Sequence, residues 1–298
     1  MSSYQQIVKD IKALKIQGAT NVAESAVRAL AVFADKNKNK NKIGFMHNIK
    51  VFKKIIFDAR PTEPAMRNAI NYVLGDIEVE ENYMMAVKQR AKEVSYHFKE
   101  SAERISQIGA KKIRRKMIIF THCHSSAVVD ILIKAKKRRI NFEVHNTETR
   151  PRLQGRITAR ELARAGIPVI HYVDSAARLA LKKADLMLIG ADAITTEGKV
   201  INKIGSELFA ELAHKHDIPV YACTDSWKFD PETIFGFEEE IEERTPKEIW
   251  PNPPKGVEID NHAFEKVDAD LITGIISELG IYSPNVFVDQ IRRAYPWI

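Results

Sequence analysis

Residues 117–146, MIIFTHCHSSAVVDILIKAKKRRINFEVHN, decide the fold. The apolar run MIIF (117–120) stops at the polar THCHSS (121–126), and SAVVDILIKAKKR (126–138) then shows helical periodicity before a second branched run, INFEVHN (140–146). A short apolar strand, an amphipathic helix and another apolar strand make the crossover unit of a parallel sheet. The pattern repeats downstream. IPVIHYV (167–173), ADLMLIG (184–190) and IPVYACT (218–224) are further strand candidates, spaced by the helical patterns ITARELARAG (157–166), SAARLALKK (175–183) and GSELFAELAHKH (205–216). Gly166 and the GIP and DIP steps stop helices and start strands. The fold class is therefore α/β, a Rossmann-like, mostly parallel sheet covered by helices on both faces. TTEGKVINKIG (195–205) reads as a short hairpin feeding a helix, and ADLITGIISELG (269–280) returns one more strand. The prolines of EEEIEERTPKEIWPNPPKG (238–256) exclude a long regular element.

Upstream the period is that of helices. YQQIVKDIKALKI and NVAESAVRALAVFA carry apolar residues three and four apart, with Gly18 as the turn between them. Pro64 near the first turn of TEPAMRNAINYV marks a helix start, and residues 78–108 contain neither Pro nor Gly and suit one long helix. DKNKNKNKIG (35–44) is too polar and repetitive to pack and is expected as a mobile loop. The chain thus divides into an all-helical N-terminal domain, 1–110, contributing to the active-site cleft, and an α/β domain, 111–298.

Composition narrows the function classes. No stretch approaches the roughly 18 apolar residues of a membrane span, so no membrane partner is expected. The N-terminus lacks the apolar segment of a secretory signal. Two cysteines, Cys123 and Cys223, give no disulfide framework, and a cytoplasmic location follows as the expectation. The net charge of +7 suits an anionic partner, nucleic acid or a phosphorylated small molecule. The basic runs at 36–42, 111–116 and 134–139 carry no interleaved aromatics for base stacking, so nucleic acid is not the expected partner.

Ligands of such a sheet sit beyond the carboxyl ends of its strands. Cys123, Glu148, Asp174, Asp192 and Asp225 each follow a strand candidate there; acidic residues at these places also serve as helix caps. No metal is expected at THCHSS. On extended backbone His122 and His124 point to one side and Cys123 to the other, and no CxxC or HxxxH completes a site, although His145 and His171 are conceivable further ligands. Cys123 precedes a helix, where amide groups and the helix dipole favour a thiolate able to exchange a proton or attack as a nucleophile. An inert buried cysteine is the other reading, and it holds more strongly for Cys223. Asp192 in IGADAIT follows an apolar run, so a raised pKa and general-acid work fit it, as does a cap on the backbone of Thr195. Arg150, Arg152 and Arg156 in TETRPRLQGR, with Asn202 and Lys203 in NKIGS, lie at helix starts suited to phosphate. Lys228 in SWKFD and Arg60 in DARPTEP add further cations. Neither GxGxxG after the first strand nor GxxxxGK[ST] is present, which disfavours dinucleotide binding and ordinary nucleotide hydrolysis; no cofactor is expected.

Together THCHSS, TETRPRLQGRITARELARAGIPV, DSAARLALKKADLMLIGADAIT, GKVINKIGSELFAELAHKHDIPVY and KFDPET resemble the superfamily that joins the initiation factor 2B alpha, beta and delta subunits with sugar-1-phosphate isomerases. The resemblance covers residues 116–280, and ARPTEPAMRNAI extends it into the helical part. The isomerases carry a cysteine in THC and an aspartate in GAD, here Cys123 and Asp192, and KFDPET looks closer to archaeal ribose-1,5-bisphosphate isomerase than to the methylthioribose-1-phosphate enzyme. The resemblance implies conversion of an aldose 1-phosphate to a ketose phosphate, ribose 1,5-bisphosphate to ribulose 1,5-bisphosphate, within AMP metabolism. It implies phosphate or sugar contacts from Gln17, Gly18, Ala19, Arg60, Arg150, Asn202, Lys203 and Lys228, and a homo-oligomer, dimer or hexamer. The first phosphate loop departs from the isomerases' arginine-glycine-alanine-glycine at Gln17 and Thr20, and His124 stands where they usually carry asparagine. The other function consistent with these residues is a noncatalytic initiation factor 2B-like subunit that binds a phosphorylated metabolite or a protein partner.

Overall fold

The computed structural model describes residues 3–38, 40–235, 241 and 243–298. They form two units. The first comprises Met1–Glu100 with Trp227–Phe229 and Trp297–Ile298, and the second Ser101–Ser226 with Asp230–Pro296.

The first unit is helical: α1 (Tyr4–Lys12), α2 (Ala19–Lys36), α3 (Lys42–Ala59), α4 (Pro64–Leu74) and the first part of α5 (Tyr83–Gly109). Gly18, at φ +84°, turns the chain into α2, where a side chain would be strained. Pro64 opens α4 as its pattern requires. Phe33 and Phe52 stack at 4.2 Å and Tyr4 meets both edge-on, joining α1, α2 and α3. The Asn68 amide of α4 donates to the carbonyls of Trp227 and Phe229 at 2.8 Å each, which fastens residues 227–229 into this unit. Two sequence expectations need correction. The expected loop at 35–44 shrinks to 37–41, because α2 runs to Lys36 and Asn41 caps α3 by accepting the Gly44 amide at 2.8 Å; Asn39 lies outside the described residues. The long helix begins at Tyr83 rather than 78, since Asn82 accepts the Met85 amide at 3.1 Å and caps it there.

The second unit carries a seven-stranded sheet. Its strands are β1 (Ile118–Thr121), β2 (Glu143–Thr147), β3 (Val169–Tyr172), β4 (Leu186–Gly190), β7 (Val220–Cys223), β9 (Gly274–Ser277) and β10 (Gly280–Tyr282). They lie in the order β10-β9-β7-β4-β1-β2-β3, and all pairings are parallel except β9–β10. The crossovers run through α6 (Ser126–Lys137), α7 (Gly155–Arg164), α8 (Ala177–Leu181) and α9 (Ser206–Lys215). Ile119, Val144, Leu188 and Cys223 of the strands pack with Val128, Ile131, Leu132 and Leu162 of the helices in one buried core. The apolar runs of β1, β2, β4 and β7 were legible because these strands are buried on both faces, whereas the edge strand β3 is partly exposed.

The expected hairpin is β5 (Ala193–Ile194) with β6 (Val200–Lys203), extended by β8 (Phe264–Val267) into a small antiparallel sheet. Residues 269–280 return β9 as expected and turn at once into β10, which the sequence had not separated. β8 and α10 (Pro284–Ala294) also went unread. Within the proline-rich stretch 238–256 the longest regular piece among the described residues is the single 3-10 turn Pro246–Glu248, while residues 238–240 and 242 lie outside the described residues. No helix among the described residues is long and apolar enough to cross a membrane.

One contact constrains the strand ends that matter below. The chain folds back after β2 so closely that a Cβ on Gly155 would fall 1.7 Å from the Thr147 carbonyl oxygen. Gly155→Ala is expected to cost about 3 kcal/mol or more of unfolding free energy, read as a shift of the urea midpoint. An unchanged midpoint would contradict this packing.

Candidate active site

The carboxyl ends of β1, β2, β3 and β4 bring together four loops. After β1 come His122 and Cys123. The imidazole of His122 is buried, accepts from Thr147 Oγ1 at 2.6 Å through Nδ1 and donates through Nε2 to the Ile204 carbonyl at 2.9 Å. Burial holds its pKa down to about 4, so the ring is neutral. His124 bonds elsewhere: its Nδ1 meets Thr158 Oγ1 of α7 at 3.1 Å, and that hydroxyl donates to the Cys123 carbonyl at 2.9 Å. The two histidines therefore serve separate structural bonds, and the unusual His124 braces the cysteine loop. His145 bonds Glu143, 2.8 Å away, and His171 bonds Asn146 at 2.9 Å.

Cys123 is 8% exposed and sits at φ +66°, left-handed for a residue with a side chain, at a cost of about 1 kcal/mol. Its amide donates to Thr149 Oγ1 at 3.0 Å. Burial pushes the thiol up to about 12, with Lys203 acting in the opposite sense and Asp192 and Asp174 adding to the rise. This corrects the expected thiolate. Ser125, not the thiol, caps α6, its hydroxyl accepting from the Val128 amide. The helix end is worth at most about 2 kcal/mol to an anion, whereas the rise from 9.0 to about 12 corresponds to roughly 4 kcal/mol. Desolvation wins and the thiol stays protonated. Cys223 is buried in the core, its thiol also raised by burial.

Asp192 is half-buried just beyond β4, with its amide donating to the Ile201 carbonyl at 2.8 Å. The Thr195 amide is taken by the Lys199 carbonyl at 3.0 Å in the β5–β6 hairpin, so the alternative of a cap there loses its donor. Lys203, at the end of β6, is 8% exposed with its ammonium 4.1 Å from the centre of the Phe264 ring. No carboxylate among the described residues lies within ion-pairing distance of it. Asn202 donates to Ser206 Oγ at 2.9 Å, and its Oδ1 lies 3.8 Å from where a Cβ on Gly190, at the end of β4, would stand.

The arginine loop after β2 separates its three members. Arg152 pairs with Glu248 at 3.0 Å and Arg156 with Glu148 at 3.1 Å, both structural. Arg150 is exposed, donates weakly to the Ile249 carbonyl at 3.5 Å and lines a cavity of about 420 Å³ with Ile204, Ile249 and His262. The loop after β2 and the start of α9 offer fewer free amides than the sequence suggests. Thr149 and Arg150 already donate to Asp174, and Glu265 of β8 accepts from Glu207 at 2.8 Å and from Gly205 and Ser206, covering the start of α9. Sequence reasoning had noted Asp174 only as a strand-end residue.

The remaining expected residues belong to the helical unit. Gln17 turns its side-chain amide onto the Leu14 carbonyl at 2.7 Å; it lines a cavity of about 970 Å³ with Lys15, Asn21, Arg28 and Lys92. Gly18 and Ala19 form the start of α2 beside it. Arg60 is buried and pairs with Glu63 at 3.2 Å. Lys228 is half-buried in the segment that Asn68 holds.

The neutral His122 makes a pH prediction. Its folded pKa lies below the ordinary 6.5, so the contribution of its hydrogen bonds is present above pH 6.5 and is lost as pH falls through 4, up to about 3 kcal/mol. The unfolding free-energy difference between the parent and His122→Asn should therefore shrink between pH 6.5 and 4 in urea titrations. A difference that grows on acidification would refute the neutral ring.

A model of the initiation factor 2 subunit family matches residues 15–284. The ribose 1,5-bisphosphate isomerase of Thermococcus kodakarensis is 39% identical over 304 residues, spanning 98% of this chain and 94% of that protein. Among solved structures, the translation initiation factor eIF-2B of Pyrococcus horikoshii OT3 is similar with a TM-score of 0.84 at 28% identity, covering 96% of this chain and 98% of that one. The 5-methylthioribose 1-phosphate isomerase of the same organism reaches 0.79 at 26% identity, covering 99% of this chain and 88% of that one. Matched along nearly all of its length, the chain belongs to the initiation factor 2 subunit family, within the superfamily that includes the archaeal ribose-1,5-bisphosphate isomerases.

Proposed function

We propose that the protein is an aldose–ketose isomerase that converts ribose 1,5-bisphosphate to ribulose 1,5-bisphosphate. The observation that carries this reading is a buried Lys203 ammonium, without a carboxylate partner among the described residues, beside a buried and protonated Cys123 thiol. A cation taken from water without a counter-ion is costly, and an anionic ligand offsets that cost. The 39% identity to an isomerase of this substrate supports the same class of reaction.

The chemistry needs four proton movements and no net redox change. C1 of the substrate bears both the phosphate oxygen and the ring oxygen, so the sugar cannot isomerise while closed. Breaking the bond from C1 to the ring oxygen places a proton on that oxygen. Loss of the C2 proton then gives an enol phosphate with a double bond between C1 and C2. Loss of the O2 proton and gain of a proton at C1 leave the C2 ketone and a CH2 phosphate. Two protons are taken and two given. Asp192 is the group suited to give a proton to the ring oxygen and, as the carboxylate it then is, to take the C2 proton, while the protonated Cys123 is suited to deliver its proton to C1 and, as the thiolate it then is, to receive the O2 proton. A neutral thiol argues for proton donation rather than nucleophilic attack. Lys203 and Arg150 are proposed as phosphate contacts and Asn202 as a sugar contact; Gln17, Gly18, Ala19, Arg60 and Lys228 are the phosphate contacts proposed for the helical unit. A homo-oligomer, dimer or hexamer, is proposed with them.

The test is incubation with ribose 1,5-bisphosphate and, separately, with methylthioribose 1-phosphate. Turnover of the first is expected, with Cys123→Ser lowering kcat about 100-fold or more and Lys203→Met raising KM about tenfold or more. No turnover of either compound, with Cys123→Ser indistinguishable from the parent, would overturn the isomerase reading.

A further inference from the structure

We propose that Asp174 is a positioning residue which, through one carboxylate, sets the loops carrying Cys123 and Arg150 relative to each other. The proposal rests on the isomerase reading for the roles of those two residues.

β3 lies at the edge of the sheet, and two residues beyond it the chain enters a short 3-10 turn at Asp174. The Asp174 side chain reaches back to the loop after β2. Its Oδ1 accepts from the Thr149 amide at 2.8 Å and its Oδ2 from the Arg150 amide at 2.7 Å. Both amides can face one carboxylate because Thr149 is left-handed, φ +64°. Consecutive amides in such a conformation form an anion-binding concavity, and here a carboxylate of the same unit fills it. The charge-assisted bonds are short and paired, which fixes direction as well as distance.

The effect passes on through Thr149. Its Oγ1 accepts the Cys123 amide at 3.0 Å, and Cys123 is the second left-handed residue of the site. One carboxylate thus holds, in sequence, Thr149, the backbone of Cys123 and the root of the Arg150 side chain. Without it two amides would lose their acceptor and Thr149 would be free to leave the conformation that presents Oγ1 to Cys123. Asp174 Oδ1 also lies 4.0 Å from His122 Nδ1, a ring kept neutral by burial.

The groups that act electrostatically on the Cys123 thiol are Lys203 from β6, Asp192 from beyond β4 and Asp174 from beyond β3. Lys203 favours the thiolate and the two carboxylates oppose it. Removing the Asp174 charge therefore has a second consequence: the thiol ionises at lower pH. That gives a readout independent of turnover.

The experiment uses the full chain, with Asp174→Asn and Asp174→Ala as the variants. Asp174→Asn keeps the shape but turns an NH2 toward one amide, and Asp174→Ala leaves room for added formate. Alkylation of Cys123 by iodoacetamide, followed by mass spectrometry of its peptide from pH 7 to 11, reads the thiol. Both variants should shift the alkylation profile to lower pH, and with ribose 1,5-bisphosphate kcat should fall about tenfold or more. Formate should restore kcat to Asp174→Ala while leaving the parent unchanged. A folded Asp174→Asn with the parent's alkylation profile and kcat would overturn the proposal. If the parent itself turns over neither sugar phosphate, the isomerase reading fails, while the alkylation profiles still decide whether Asp174 governs Cys123. If Asp174→Ala does not fold, Asp174→Asn alone supplies both readouts.

Discussion

The ends of the strands are tied together by one neutral imidazole. His122 follows β1, accepts from Thr147 of β2 and donates to the Ile204 carbonyl beyond β6. The carbonyl can only accept, so in the ring kept neutral by burial Nε2 carries the hydrogen and Nδ1 accepts from the threonine hydroxyl. Gly205, next to Ile204, leaves the ring its space: a Cβ there would stand 3.2 Å from Nε2. With His122 fixed, the next residue turns left-handed, and the thiol is drawn into a buried place instead of the solvated mouth of a helix.

That burial governs the chemistry. A thiol at a helix start in water would tend toward the thiolate, but here the cost of desolvating the anion exceeds what the dipole of α6 returns. Lys203 works against that cost without reversing it, and the carboxylates of Asp192 and Asp174 add to it. The outcome is a site with one buried cation, one protonated thiol and one half-buried carboxylate, the set on which the proposed proton transfer draws. Around it the polar backbone is already satisfied. Asp174 occupies the amides of Thr149 and Arg150, and Glu265 those at the start of α9. On the proposed function, phosphate recognition in this unit falls to side chains more than to these backbone amides.

Much of this was legible in the sequence. Buried parallel strands are apolar runs, so β1, β2, β4 and β7 announced themselves; the edge strand β3 was marked by its branched residues after Gly166 and Pro168, and strand ends pointed to Cys123 and Asp192 as candidates. β8 and β10 did not, because FEKV and GIY lack a long apolar run and owe their pairing to β6 and β9. The protonation of Cys123 was misread because local sequence reports a helix start but not burial. The arginines at 152 and 156 were misread for a similar reason: Arg152 pairs with Glu248, 96 residues away, and Arg156, in the first turn of α7, pairs with Glu148 beyond the end of β2. Lys228 was legible as a cation, yet its place with the helical unit depends on Asn68, 159 residues before Trp227. Side-chain bonds across such separations have no periodicity to betray them.

The most direct test of proton delivery by a neutral Cys123 is isomerisation of ribose 1,5-bisphosphate in D2O, followed by NMR of C1 in the product. If Asp192 and Cys123 act as separate proton carriers, the thiol equilibrates with solvent and the ribulose 1,5-bisphosphate carries deuterium at C1. Product in which the original C2 hydrogen is fully retained at C1, with no deuterium from solvent, would contradict that account.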